Sequence, residues 1–330
     1  MAAGAAAGLG LMAKYAMAFF VGSVITALLL TGARRFLWNR WLVMAAAAAL
    51  LIVLPNLIWQ ARHDFVSLDF LTGIHARDVK IGRTRDFLPD QLKIMLLCLP
   101  LAVAGMGFCR QGRWRPVALM YAIPLLVFML IKGRGYYLAG AYPMLYAAGS
   151  VWLEPKHRAV RRTVYAGLCA SILVAGAVAL PIAPPQSTWG RLAFSVNGDF
   201  AEEIGWPELT EAVAQVWKAQ PPHTAILAGN YGVAGAINLY GPPKGLPEAI
   251  SGVNSFWQKG YGEPPPERLV VTGLSATSVE RNFEGCQAVA QVSNQWGILN
   301  EETREHPSVF VCRGPRKPWP VFWNKFRYFG

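Results

Sequence analysis

A chain of 330 residues with 54% hydrophobic and only 15% charged residues is too apolar to be soluble along its whole length. Its net charge of +12 could suit nucleic acid, but ten of the 31 Lys and Arg fall in three short loops between apolar runs. That pattern belongs to a membrane protein, and the remaining cations suit anionic headgroups, so membrane lipids are expected partners and nucleic acid is not.

Six apolar runs follow in chain order: Gly4–Thr31, Trp41–Trp59, Gln91–Phe108, Val117–Ile131, Leu138–Leu153 and Val164–Ile182. Each is close to the length needed to cross a hydrocarbon core of about 30 Å, which takes about 20 helical residues. The cationic loops carry Arg34, Arg35 and Arg40, then Arg110, Arg113 and Arg115, then Lys156, Arg158, Arg161 and Arg162, with Glu154 the only acid among them. Loops of this kind stay in the cytoplasm. Counting from them places Met1, and everything after Ile182, on the outer side. No charged leader precedes the first run, and Met1-Ala-Ala-Gly-Ala-Ala-Ala-Gly reads like a helix interior. The expectation is therefore the C-terminal portion of a larger membrane protein, with a polytopic domain over 1–183 and an exported domain over 184–330.

Between the second and third runs, Phe65, Leu68, Leu71 and Ile74 recur at helical spacing, which predicts a short amphipathic helix at the membrane surface. The next outer loop, Lys132-Gly-Arg-Gly-Tyr-Tyr, is short and holds two cations, two glycines and adjacent tyrosines. After Pro181–Pro185 the pattern changes to alternating helices and strands. Helices are expected at Pro207–Ala219, Val233–Tyr240 and Ser278–Phe283. Strands are expected at Thr224–Ala228, Arg268–Thr272, Ala288–Val292 and Val309–Cys312. Their alternation gives a small α/β layer structure.

Cys98, Cys109 and Cys169 lie in or beside apolar runs, where a thiol acts as a small hydrophobe. Cys286 and Cys312 share the exported domain, an oxidising setting in which they can form a disulfide or stay free. No metal-ligand spacing occurs, and no cofactor is evident, while dependence on a divalent metal stays open.

Four groups of residues carry candidate chemistry. Lys14 sits inside an apolar run, either as a functional charge or as a side chain snorkelling to the surface. His63, Asp64 and Asp69 cluster after the second run, as a base or cation site or as ordinary loop charges. Lys132 and Arg134 suit a lipid-linked phosphate, or generic headgroups, at the outer edge of the membrane. Gly229-Asn-Tyr-Gly-Val-Ala-Gly follows a strand as phosphate-binding turns do, yet it matches neither GxGxxG nor the P-loop, so Asn230 and Tyr231 are read as shaping the turn or lining a pocket.

Taken together, Gly8-Leu-Gly-Leu-Met-Ala-Lys-Tyr, Leu54-Pro-Asn-Leu-Ile-Trp-Gln with His63-Asp-Phe, and Lys132-Gly-Arg-Gly-Tyr-Tyr-Leu-Ala-Gly-Ala-Tyr-Pro resemble bacterial glycosyltransferase family 39 membrane proteins. These are relatives of protein O-mannosyltransferases and of the aminoarabinose transferase that modifies lipid A, with the GT-C fold. Gly205-Trp-Pro-Glu-Leu, Asn230-Tyr-Gly-Val-Ala-Gly-Ala and Val311-Cys-Arg-Gly-Pro resemble the soluble C-terminal domain of one bacterial branch. The resemblance implies a multi-pass protein of the bacterial inner membrane. It would take a sugar from a polyprenyl-phosphate carrier and pass it to a lipid, glycan or protein acceptor on the outer face. Such enzymes use an acidic residue in an early outer loop that this sequence does not contain, so the catalytic residue is unassigned. His63, Asp64 and Asp69 are the remaining candidates, and this chain alone is expected to be inactive. Lys132 and Arg134 would meet the carrier phosphate, Tyr136 and Tyr137 would shape its pocket, and Lys14 would add to it. A non-catalytic scaffold or binding subunit of a cell-envelope glycosylation system is the alternative. A transporter fits less well, because the runs carry almost no charge apart from Lys14.

Overall fold

The computed structural model describes all 330 residues and divides into two compact units, Met1–Ala175 and Gly176–Gly330. The first is helical: α1 (Ala2–Ala13), α2 (Met17–Leu29), α3 (Arg40–Arg62), α4 (Val66–Lys80), α5 (Phe87–Met95), α6 (Leu99–Cys109), α7 (Arg115–Leu130), α8 (Tyr142–Leu153) and α9 (Arg158–Ala179), whose last residues enter the second unit. Four helical stretches are long and apolar enough to cross a membrane: Arg40–Arg62, Phe87–Cys109, Gly112–Leu130 and Arg158–Ala179.

Six single crossings do not form as expected. The run Gly4–Thr31 is not one span. It breaks at Lys14, whose backbone is extended at φ −158° and ψ 125°. α1 lies along α3 in the same direction: a Cβ on Gly4 would meet Ala45, one on Gly8 would meet Ala49 and Ile52, and farther along Tyr15 reaches Asn56. The small residues let the two backbones touch, as in packed membrane helices. α2 then turns back along α7, with Phe19 and Phe20 packed on Phe128 at ring distances of 5.1 and 6.1 Å. Met1 therefore lies toward the same end of the bundle as Arg40, not the opposite end. The run Leu138–Leu153 also differs. It begins as a 3-10 helix, Gly135–Ala141, and becomes α8 only at Tyr142, where Pro143 occupies the first turn, a position that needs no N–H donor.

α6 and α8 make the closest packing in this unit. A Cβ on Gly105 would lie 2.0 Å from Leu145 O, and one on Gly149 would lie 2.2 Å from Leu101 O. The core beside them holds Phe87, Met95, Phe128, Leu138, Tyr142 and Leu145.

The second unit holds α10 (Thr188–Val196), α11 (Asp199–Glu202), α12 (Trp206–Lys218), β1 (Ala225–Ala228), α13 (Tyr231–Tyr240), β2 (Leu269–Thr272), α14 (Ala276–Asn282), β3 (Phe283–Glu284), β4 (Gln287–Gln291), α15 (Glu301–Glu305), β5 (Ser308–Cys312), β6 (Gly314–Pro315) and α16 (Trp319–Phe326). The main sheet has the order β1-β2-β5-β4. β1 and β2 are parallel, pairing Ile226 with Val270, while β5 runs antiparallel to both β2 and β4. Alternation along the strands feeds two cores. Ile226, Ala228, Val270 and Val309 meet Leu209, Val213, Val233 and Ile237. Leu227, Leu269, Val271 and Phe310 meet Val279, Phe283, Phe322 and Trp323. A disulfide joins Cys286 and Cys312.

Candidate functional site

The break between α1 and α2 brings Lys14 to the 3-10 segment that follows α7. Its Nζ lies 4.6 Å from the ring centre of Tyr136 and 4.7 Å from that of Tyr137. The two rings meet edge to face, 4.9 Å apart. Each face attracts the ammonium by about 0.5–1 kcal/mol at a partly exposed site, enough to favour this placement of the side chain. Lys14, Tyr136 and Tyr137 line a cavity of about 260 Å³ with Met17, Phe20 and Gly140.

The loop before the tyrosines is folded tightly. Lys132 has φ 55°, and a Cβ on Gly135 would lie 2.4 Å from the Asp90 side chain, so only glycine allows this close pass. Gln91 fastens the segment, donating from Nε2 to Gly135 O at 2.9 Å and accepting from the Tyr142 hydroxyl.

Arg134 turns toward α4. Its Nε donates to Asp78 Oδ2 at 2.5 Å, and its Nη1 donates to the Tyr136 hydroxyl at 3.3 Å. Arg77 Nη2 stands 3.6 Å from Asp78 Oδ1. Asp78 is 3% exposed. Burial alone pushes its carboxyl up, but the Arg134 hydrogen bond and the charges of Arg134, Arg77 and Arg83 outweigh it and hold the group below its ordinary value. The same bond holds Arg134 well above its ordinary value. Burial also raises the Tyr136 phenol, yet the bond from Arg134 and the charges of Lys14 and Arg134 bring it below normal. Arg134, Arg77 and Arg83 thus act on the one Asp78 carboxylate, while Lys14 faces the Tyr136 and Tyr137 rings and has no carboxylate beside it.

A second polar knot holds α3 to the α1–α2 break and to α4. Gln60, 5% exposed, donates to the Tyr15 hydroxyl at 3.1 Å and to Ser67 Oγ at 2.5 Å, and accepts from Ser67 N.

The sequence candidates separate in space. Lys14, Tyr136 and Tyr137 share the cavity, and Arg134 touches it through Tyr136. Lys132 is exposed. His63 stacks on Trp59 with ring centres 4.1 Å apart and donates from Nδ1 to Trp59 O. Asp64 is exposed at φ 52°, and Asp69 lies in the first turn of α4. None of these last three lines the Lys14 cavity. No group of three or more His, Cys, Asp or Glu is placed to hold a metal ion.

Asp78 escaped the sequence reading. In His75-Ala-Arg-Asp-Val-Lys it looks like one acid in a solvated cationic stretch. The available signal was its spacing of four from Ile74 and of eight from Phe70, which puts all three on one face of α4. That face is turned inward, while Phe65, Leu68 and Leu71 of the expected apolar stripe are exposed.

Residues 1–59 match the family model of dolichyl-phosphate-mannose-protein mannosyltransferase. The matched stretch spans α1, α2 and most of α3, and it contains Lys14, Tyr15 and Asn56. It supports a membrane mannosyltransferase-like family for this part of the chain, and such a family works with a lipid-linked sugar donor and an acceptor. No curated protein and no solved structure matches the chain.

Proposed function

We propose that this chain forms part of a membrane glycosyltransferase of the bacterial inner membrane, with the GT-C fold. It passes a sugar from a polyprenyl-phosphate carrier to an acceptor on the extracytoplasmic face. The observation that carries this reading is Lys14, a cation without a carboxylate partner, set between two tyrosine rings in the part of the chain that matches the mannosyltransferase family.

The chemistry follows from charge. As the glycosidic bond to the carrier breaks, negative charge develops on the leaving phosphate. A fixed cation placed beside the leaving phosphate stabilises that charge more than it stabilises the bound ground state. Lys14 supplies this charge as a compact ammonium, and Tyr136 and Tyr137 restrict where it points. Arg134 acts differently from the simple expectation, because its guanidinium is bound to Asp78. It positions Tyr136 and adds to the positive field. Lys132, exposed at the loop, meets the carrier headgroup as it arrives. A carboxylate that activates the acceptor is not assigned to any residue of this chain.

The test is sugar transfer from a polyprenyl-phosphate sugar by the full-length protein in its own membranes. Lys14→Met should lower transfer about 100-fold, the scale of one lost charge-stabilising group. Transfer by Lys14→Met at the wild-type rate would remove Lys14 from the mechanism.

A further inference from the structure

The second unit has a cavity of about 480 Å³ with no part in the reading above. It opens where the parallel strands β1 and β2 end, at Gly229 and Gly273, where crevices in open α/β sheets take their ligands. The two backbones run very close there: a Cβ on Gly229 would lie 1.8 Å from Gly273 O. Asn230 begins α13, accepting from Val233 N at 2.8 Å, and its Nδ2 donates to Glu302 Oε1 at 2.7 Å.

His306, which lines the cavity, has a buried Nδ1 with no hydrogen-bond partner, and so do Thr272 Oγ1 and Glu302 Oε2, in the residues next to the lining Gly273 and Glu301. Thr272 is fully buried at the end of β2, and Glu302 is 3% exposed. His306 lines the cavity with its Nδ1 3.9 Å from Glu302 Oε2. Unpaired buried polar atoms are costly and uncommon, so one on the cavity lining with two more beside it suits a ligand that carries hydroxyls. The lining also includes Phe326, Tyr328, Lys325 and Arg327. Tyr328 is 54% exposed, and an exposed aromatic ring can pack on a sugar. Lys325 has no carboxylate partner, and Arg327 rests on the Trp257 ring at 4.7 Å. The lining also carries one carboxylate, Glu301.

We propose that this crevice binds a monosaccharide unit bearing one anionic group. The sugar ring lies against Tyr328, its hydroxyls meet His306 and Asn282, and its phosphate or carboxylate meets Lys325 and Arg327. The site is independent of the Lys14 cavity and of the transfer reaction, so it stands or falls on binding alone.

Calorimetric titration of the detergent-purified full chain tests it with glucose 1-phosphate, glucuronate, glucose and inorganic phosphate. At least one of the two anionic sugars should bind about tenfold or more tightly than both glucose and inorganic phosphate, a difference of about 1.4 kcal/mol. Which one does so separates a phosphate from a carboxylate as the recognised group. Lys325→Gln and Tyr328→Ala, both at exposed side chains, should each weaken that binding about tenfold while leaving the unfolding midpoint in place. Absence of binding by both anionic sugars, equal binding of glucose or inorganic phosphate, or unchanged binding by both variants would overturn the proposal.

Discussion

Asp78 shows how far a single buried charge depends on its partners. Removing one member of a buried ion pair leaves the other unpaired, and the loss exceeds what the pair contributes in water. Arg134 keeps 22% of its side chain exposed and so retains some solvation. Asp78→Asn should therefore destabilise the helical unit by on the order of 2 kcal/mol, read as a lower unfolding midpoint in detergent, and Arg134→Gln in the same chain should recover part of it. Because the folded carboxyl is held below its ordinary value, its contribution is present above that value and disappears as pH falls through the lowered one. Glu302 has the opposite sign. Burial pushes it up to about 7, despite the Asn230 hydrogen bond, with Glu301, Glu202 and Glu305 adding to the rise. Its contribution is full below the ordinary 4.5 and is lost as pH rises through about 7. Glu302→Gln should match the wild-type unfolding midpoint at pH 4 and exceed it at pH 8; equal midpoints at both pH values would contradict this reading. Neither residue was legible in the sequence, because a carboxylate in a charged stretch looks solvated until the fold shows what covers it. Lys14 was legible, because a lone cation in an apolar run is conspicuous from composition alone.

At the scale of elements, the α/β strands and the helices between them were readable from period and punctuation. β1, β2, β4 and β5 fall within a residue of the expected ranges, as does α12, while α13 and α14 each begin two residues earlier than expected. The first apolar run was not readable in the same way. Hydropathy measures length and apolarity, and Gly4–Thr31 satisfies both, but it carries no record of the reversal at Lys14. That reversal depends on α1 finding α3 and on α2 finding α7, which are contacts between distant parts of the chain. The α6–α8 contact is likewise set by two glycines whose role appears only once the helices are side by side. Gly105→Ala should cost about 1–3 kcal/mol through overpacking against Leu145 O, whereas Gly107→Ala, with nothing within 4 Å of its Cβ, should leave the unfolding midpoint unchanged. Equal midpoints for both variants would show that the helices part without cost.

For the whole molecule, composition announced a membrane protein with a smaller α/β unit, and the four long apolar helices agree with it. The resemblance to mannosyltransferases was legible in scattered motifs, and the family match falls on residues 1–59, where Lys14 lies. What composition could not give is which charges converge. Lys14, Arg134, Tyr136 and Tyr137 come from segments more than a hundred residues apart and meet only because α1 and α2 turn back beside the loop after α7. The central claim is that this meeting point receives the carrier phosphate. Its most direct test is photo-crosslinking of a polyprenyl phosphate analogue to the full-length protein in membranes, with labelled peptides mapped by mass spectrometry. Label at Lys14–Phe20 and Tyr136–Gly140, displaced by unlabelled carrier, is the predicted result. Displaceable label confined to other segments would contradict it.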